Sequence, residues 1–352
     1  MTKRPRQTDV ARLAGVSPTT VSLVINNRIG GTVRITEETR QRVLAAVDEL
    51  GYTVDPAARR LAGGFNAMLG VFTFEPIFPL VHRDFYYDFL MGIENEAEKQ
   101  GYDLLLFTSS GDGGGKRRIY NVGVNRLRMA DGSILLGYAA NRDEIERLIG
   151  EGYPFVFVGR REARSGPVAY VAADYKNATA TVISHMLAHG HRRIAYVCED
   201  TGAESQEDRR SGYRAALEAA GIAHDPSLDT PVDGPDQITP DWVKAQMDAG
   251  ATAFVAEIGP IGHRLVESLN ALRLRPPDDF SFASLGDPLV EDNPYPDTTT
   301  FRIPRQEMGA AAVRLLAQML EGELSEVPQV TLDCSFVPGG TVGDGPDAGE
   351  PR

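Results

Sequence analysis

The stretch TDVARLAGVSPTTVSLVINN, residues 8–27, decides the first domain. Thr8 stands where an N-cap is wanted, ahead of Val10, Ala11 and Leu13, and Gly15 is placed to end that short helix in the left-handed conformation. After Val16, Ser17-Pro18 restarts the chain as an N-cap with proline at the first helical position, where the missing N–H costs nothing. The helix predicted over 18–26 puts Val21, Val24 and Ile25 on one face and leaves Thr19, Thr20, Ser22 and Leu23 on the others. Thr36, Glu37 and Glu38 open a third helix with Val43, Leu44, Val47 and Leu50 as its apolar set, ended by Gly51. Two short helices across a tight turn, with a third to complete the core, is the helix-turn-helix plan. Its second helix lies in the major groove with polar residues at base edges, and Arg and Asn side chains grip phosphates.

Charge supports this reading once it is divided. The 352 residues carry net −13, but residues 1–63 hold ten Lys/Arg against six Asp/Glu, net +4, and the remainder carries net −17. A basic module on an acidic body follows. Within the module, Asp55-Pro56 again reads as cap plus first-turn proline, and Ala57 to Ala62 spans about two turns before Gly63-Gly64. So short a helix nucleates poorly alone. Arg59 and Arg60 suit it to fold as a hinge helix against a polyanion.

The run 8–27, followed by TRQRVLAAVDELGY (39–52) and DPAARRLAGG (55–64), resembles the DNA-binding headpiece of the LacI/GalR (lactose-repressor) family of bacterial transcription regulators. The resemblance implies a homodimer on a palindromic double-stranded operator, with tetramers a further option. It assigns DNA contacts to Thr8, Ser17, Pro18, Thr19, Thr20, Ser22, Leu23, Asn26, Arg34, Thr39, Tyr52, Ala58, Arg59 and Leu61. Leu61 takes the minor-groove wedge position, with Ala58 beside it. Leu23 stands where many relatives have arginine, which shifts base readout toward Pro18, Thr19 and the hinge. The loop 27–35 is also longer than the family's usual connection, and Arg28 and Arg34 lie on it.

From Met68 the rhythm changes. Apolar runs MLGVFTF, DLLLFTS, ADGSILLG and YPFVFVGR alternate with helices predicted over 85–100 and 143–150. After Tyr170 the alternation restarts, with RIAYVCE, ATAFVAE and DFSFASLG between helices at 177–189, 209–220 and 262–272. Short buried runs between longer helices indicate parallel sheets of βα units, with ligands in the cleft at the carboxyl ends of the strands. The fold expected is therefore α/β: an all-α helix-turn-helix headpiece with a hinge helix, then two doubly wound parallel-sheet subdomains. Phrases such as HMLAHGHRRIAYV and DRRSGYRAALEAAGI resemble the family's periplasmic-binding-protein-like domain. Expected boundaries are 6–53 for the headpiece, 54–64 for the hinge and 66–340 for the effector and dimerisation domain. Its N-lobe takes about 66–174 and 303–330, its C-lobe about 175–302 and 331–340, and the Gly/Pro/Asp-rich tail 341–352 reads as disordered.

The resemblance also implies a small effector, a sugar or sugar derivative, between the lobes. Arg209, three residues before Gly212-Tyr213, matches the family's ligand arginine, and Asp287 after the last C-lobe strand matches its hydroxyl acceptor. Phe85, Tyr86 and Tyr87 follow the first strand, where family aromatics line the cleft; helix core is the competing reading for each. Arg160 ends a strand, and Glu257 stands where relatives have Asn-Asp.

No cofactor, metal or catalytic residue is expected. GDGGGKR (111–117) fails the phosphate-loop spacing, His185 and His189 lack a metalloprotease motif, and G-x-S-x-G is absent. Cys198 and Cys334 have no C-x-x-C partner, and no apolar run reaches the roughly 18 residues that span a bilayer. A cytoplasmic, nucleoid-associated regulator with no membrane partner is the expectation, with a repressor favoured over an activator. A transport-type solute-binding protein and a sugar-processing enzyme are the alternatives; the basic headpiece argues against the first and the missing catalytic constellation against the second.

Overall fold

The computed structural model describes residues 5–25, 35–52, 66–76, 80–109, 117–137, 141–229, 231–257, 259–287 and 295–347, with only the backbone described for 80–84. The chain separates into two compact units, residues 1–68 and 69–352.

The first unit holds α1 (Gln7–Ala14), α2 (Pro18–Ile25) and α3 (Glu37–Leu50). Thr8 lies inside α1 and is not its cap. The Asp9 carboxylate reaches back to accept the Arg6 N–H at 2.9 Å. Gly15, at φ +67°, lets the chain turn into α2, whose first turn is closed by the Thr20 N–H donating to Ser17 Oγ at 3.1 Å. Thr36 caps α3 in the same way. Val10, Ala11, Ala14, Val21, Val24, Val43 and Ala46 form the core. Leu44, expected inside, is 46% exposed; the 3.6-residue period gives its place to Ala46.

In the second unit β1 (Met68–Thr73), α4 (Leu80–Lys99) and β2 (Asp103–Phe107) lead into a small hairpin, β3 (Tyr120–Asn121) and β4 (Val124–Asn125). Next come β5 (Gly132–Leu136), α5 (Arg142–Gly150), β6 (Phe155–Val158) and β7 (Tyr170–Ala173). The second half runs α6 (Tyr175–Ala188), β8 (Ile194–Val197), α7 (Glu204–Ala219), α8 (Pro240–Asp248), β9 (Ala253–Glu257), α9 (Pro260–Ala271) and β10 (Ser281–Leu285). The chain ends through β11 (Thr300–Arg302), α10 (Arg305–Glu321), β12 (Gln329–Leu332) and β13 (Ser335–Val337).

Two sheets result. One has six strands in the order β12-β7-β6-β5-β1-β2, and the other three in the order β10-β9-β8. Parallel pairing joins β1 to β5, β5 to β6, β6 to β7, β7 to β12 and the second sheet throughout. Such strands are buried on both faces, and β1, β5, β6, β8, β9 and β10 are accordingly almost wholly buried. β11 and β13 pair antiparallel where the chain passes between the sheets. The six-stranded sheet keeps β12 to Leu332, slightly past the boundary expected at 330.

α10 returns to pack along α4, and two glycines set the approach: a Cβ on Gly92 would strike the Gln306 carbonyl, and one on Gly309 the Phe89 carbonyl. The expectation of a disordered tail from 341 fails for residues 341–347. Thr341 is 4% and Val342 8% exposed. The Phe282 N–H donates to Thr341 O at 2.9 Å, the Gly343 N–H to Ser281 Oγ at 3.0 Å and the Gly345 N–H to His189 O at 2.6 Å. Backbone pairing, which leaves no mark in composition, holds this segment to the second sheet.

Candidate DNA-reading surface and ligand cleft

On the first unit, the start of α2 presents a polar face. Ser17, Pro18 and Thr19 are exposed, and Ser22 and Leu23 are half-buried beside them. Thr20 is less available, because its hydroxyl lies 2.9 Å from Ser17 Oγ. Gln7 Nε2 donates to Pro18 O at 2.8 Å, fixing α1 against the start of α2. Thr8 is exposed on α1, while Thr39 and Tyr52 are half-buried, Tyr52 against the helical core. Asn26, Arg34, Ala58, Arg59, Leu61 and the hinge segment lie outside the described residues.

In the second unit the polar groups gather at the strand ends. Arg209, on α7, is 5% exposed, and its guanidinium lies 3.8 Å over the Tyr175 ring. Its Nε donates to Leu285 O and its Nη1 to Ser205 O, each at 3.1 Å, and no carboxylate of the described residues lies within ion-pair distance. Burial opposes its charge, but Tyr175 and Glu257 outweigh burial, and its pKa stands above the ordinary arginine value. Glu257 ends β9, is 8% exposed, and accepts from Tyr196 Oη at 2.8 Å and Gln206 Nε2 at 3.2 Å. Burial, then the Glu257 charge, pushes the Tyr196 phenol well up.

The other candidates divide. Asp287 accepts from Arg305 Nη1 at 2.8 Å and from the Ile303 N–H at 3.0 Å, so one of its oxygens already secures the crossing into α10. Arg160 holds α7, its Nε donating to Asp208 Oδ2 at 3.0 Å and its Nη2 lying 2.9 Å from Asp208 Oδ1, and it also lines a cavity beside that helix. Tyr86, expected as cleft lining, is 1% exposed and belongs to the core, donating to Glu75 Oε2 at 2.5 Å. Phe85 is half-buried, with Arg305 5.5 Å above its ring, and Tyr87 is 57% exposed.

Residue spacing alone missed four contributors: Tyr175, Tyr196, Arg305 and the Arg161–Glu204 pair. Arg161 Nη1 reaches Glu204 Oε2 at 2.7 Å with both side chains 9% exposed, tying the chain after β6 to the start of α7. Beside this tie a cavity of about 300 Å³ is lined by Arg142, Arg160, Glu204, Gln206, Glu207 and Arg210. Among the described residues no group of three His, Cys, Asp or Glu could hold a metal. No described helix is long and apolar enough to cross a membrane.

Three family models match the chain: "Bacterial regulatory proteins, lacI family" over residues 8–55, "Periplasmic binding proteins and sugar binding domain of LacI family" over 77–240, and "Periplasmic binding protein-like domain" over 183–342. The transcriptional regulator DegA of Bacillus subtilis is 26% identical over 94% of this chain and 95% of its own. CelR of Thermobifida fusca is 28% identical over 94% and 96%. Among solved structures, the CelR–cellobiose complex superposes with a TM-score of 0.65 at 26% identity, covering 96% of this chain and all of that one. The lac repressor dimer bound to operator gives 0.68 at 20% identity, over 97% and all, a likeness of fold. With a helix-turn-helix unit ahead of a two-sheet domain of periplasmic-binding-protein type, the chain belongs to the LacI family of bacterial regulatory proteins.

Proposed function

We propose that the protein is a homodimeric, sequence-specific repressor whose affinity for a palindromic operator is set by a sugar or sugar derivative bound between its two sheets. The observation that carries this is Arg209. It is a buried cation fixed by a tyrosine face and two carbonyls, with no carboxylate of the described residues within ion-pair distance. A hydroxyl-bearing ligand completes that fork. The cellobiose complex of one relative and the name of another, the maltose regulon regulatory protein MalI of Escherichia coli, support a sugar. Leu104 and Leu106, each 38% exposed on edge strand β2, support self-association there.

In this reading Ser17, Pro18, Thr19, Ser22 and Leu23 address bases, Thr8, Thr39 and Tyr52 address the backbone, and Asn26, Arg34, Ala58, Arg59 and Leu61 act from the loop and hinge. The regulator works on the nucleoid, in the cytoplasm. Ligand shifts operator affinity only through its preference for one arrangement of the lobes, and the coupling is reciprocal. Selection of bound duplexes from a random library, followed by titration of the selected duplex with sugars, tests the proposal. An inverted repeat whose complex weakens or tightens with sugar supports it. Absence of any enriched sequence, with or without a metabolite extract, overturns it.

A further inference from the structure

The hairpin of β3 and β4 carries a residue that its turn does not suit. The two central positions are Val122, at φ +46°, and Gly123, at φ +79°. A two-residue hairpin turn asks for such a left-handed pair, and asparagine, aspartate or glycine is the residue that takes it without strain. Valine, branched at Cβ, is strained there. It is also 96% exposed, with Val124 at 66% and Met129, on the single 3-10 turn Arg126–Met129, at 61%. The tip nevertheless has a firm base. Ile119 and Leu127, on either side of it, are fully buried in one core cluster with Phe107 and Leu135, and Glu144 accepts the Ile119 and Tyr120 N–H groups. Strain and apolar exposure that the fold itself does not use point to a contact with another molecule.

Charge selects the kind of partner. Residues 117–129 hold four arginines and no acid. Arg118 and Arg128 are exposed, and exposed Arg147 of α5 lies 3.9 Å over the Tyr120 ring. Arg126 gives one nitrogen to two carbonyls, Ser109 O at 2.9 Å and Arg118 O at 3.1 Å. The carboxylates bonded to this segment are Glu144 and Glu151, and Glu151 answers both Arg128, at 3.4 Å, and Arg147, at 3.2 Å. Arg118, Arg126, Arg128 and Arg147 thus outnumber the acids around an apolar tip, although residues 64–352 carry net −17.

We propose that this hairpin docks a segment of another protein in which acidic residues flank one or two large apolar ones. A second copy fits badly. Face to face, the same arginines meet each other, and a head-to-tail contact does not close. A membrane surface also fits less well, because residues 117–129 offer two exposed valines and a methionine with no exposed Trp, Phe or Tyr among them. The surface is separate from Leu104 and Leu106 of β2. The alternation that sets Leu105 and Phe107 against the cluster holding Ile119 turns those two to the opposite face of the sheet.

Selection from a displayed library of random peptides tests this, with full-length protein as bait and counter-selection on the full-length Val122→Asn variant, whose charge is unchanged. Peptides with Asp or Glu flanking Leu, Ile or Phe are expected. By fluorescence anisotropy the wild type should bind such a peptide about tenfold more tightly than the variant does, the worth of one buried valine. The variant should also melt at a higher temperature than the wild type, because asparagine suits the turn, so its weaker binding does not come from lost folding. No enrichment, basic or uncharged peptides, or equal binding by the two proteins overturns the inference, and a variant that melts lower than the wild type removes the strain on which it stands. Self-association in sedimentation that disappears with Val122→Asn overturns it in favour of a second copy. Flotation with phosphatidylglycerol vesicles that depends on Val122 overturns it in favour of a membrane.

Discussion

Glu204→Gln tests how the two sheets are tied. The wild-type carboxylate receives Arg161 Nη1 at 2.7 Å and the Glu162 N–H at 3.2 Å, and sits 3.7 Å from Arg142. Losing one member of a buried ion pair costs about 3–5 kcal/mol, because the other charge stays in low dielectric without compensation. Arg161 keeps its bond to Gly137 O, its place 4.3 Å over the Phe157 ring and its attraction to Glu75. The glutamine oxygen still accepts, so the lower end, about 3 kcal/mol, is expected. For a unit of this size that is a fall in Tm of about 6 °C. Scanning calorimetry in low salt and in 1 M NaCl provides the assay. Screening at about 3 Å weakens exposed pairs but barely touches a buried one, so most of the loss should persist in high salt. A double variant, Arg161→Met with Glu204→Leu, should recover more than half of it, since an apolar pair of similar volume replaces a buried ion pair at little cost. A loss under about 1 kcal/mol, or one that disappears in 1 M salt, would place this pair among ordinary surface contacts and refute the reasoning.

Three further outcomes are expected. Gly309→Ala should destabilise by about 1–3 kcal/mol in urea melts because its Cβ meets the Phe89 carbonyl; a gain, as at an open helical glycine, would contradict the close helix crossing. Tyr86→Phe removes the donor to buried Glu75 and should cost about 1–3 kcal/mol, with wild-type stability counting against the contact. Burial lowers the pKa of His191, which lies between Thr252 Oγ1 and Gly343 O, so the unfolded chain takes up a proton first. Its contribution is complete above the unfolded value of about 6.5 and is lost as pH falls toward the lowered folded value. His191→Gln should flatten the decline in stability between pH 7 and 5, and identical slopes for the two proteins would rule the residue out as a source of it.

Parallel strands were the most legible part of the chain, because burial on both faces writes them as unbroken apolar runs such as Phe254–Ala256. Helix starts were less so. α7 begins at Glu204, ahead of the expected Arg209, because its first turn carries charged residues that answer Arg160 and Arg161 and show no apolar period. The hairpin Tyr120–Asn125 is set by Glu144 accepting backbone N–H groups, and that anchor lies on a helix outside its own sequence window. Arg209 and Glu257, both buried, were singled out as candidates from their places along helix and strand. Tyr175 and Arg305 were not, since each arrives on an element whose own pattern says only that it is a helix. Tyr86 was misplaced because one turn of α4 carries three aromatics, and spacing does not tell which of them faces inward.

The last strands and the closing segment bear on how the protein is made. The helical core of the first unit is complete once Leu50 and Tyr52 have been synthesised. Neither sheet domain can finish so early. The six-stranded sheet waits for α10 and for β12 at its edge, and the three-stranded sheet waits for Thr341 to Gly345 to bond Phe282, Ser281 and His189. A growing chain therefore carries a finished DNA-reading module while the part that senses ligand still lacks its final pieces. Until residues 341–345 are in place, a nascent molecule has a reader without a control.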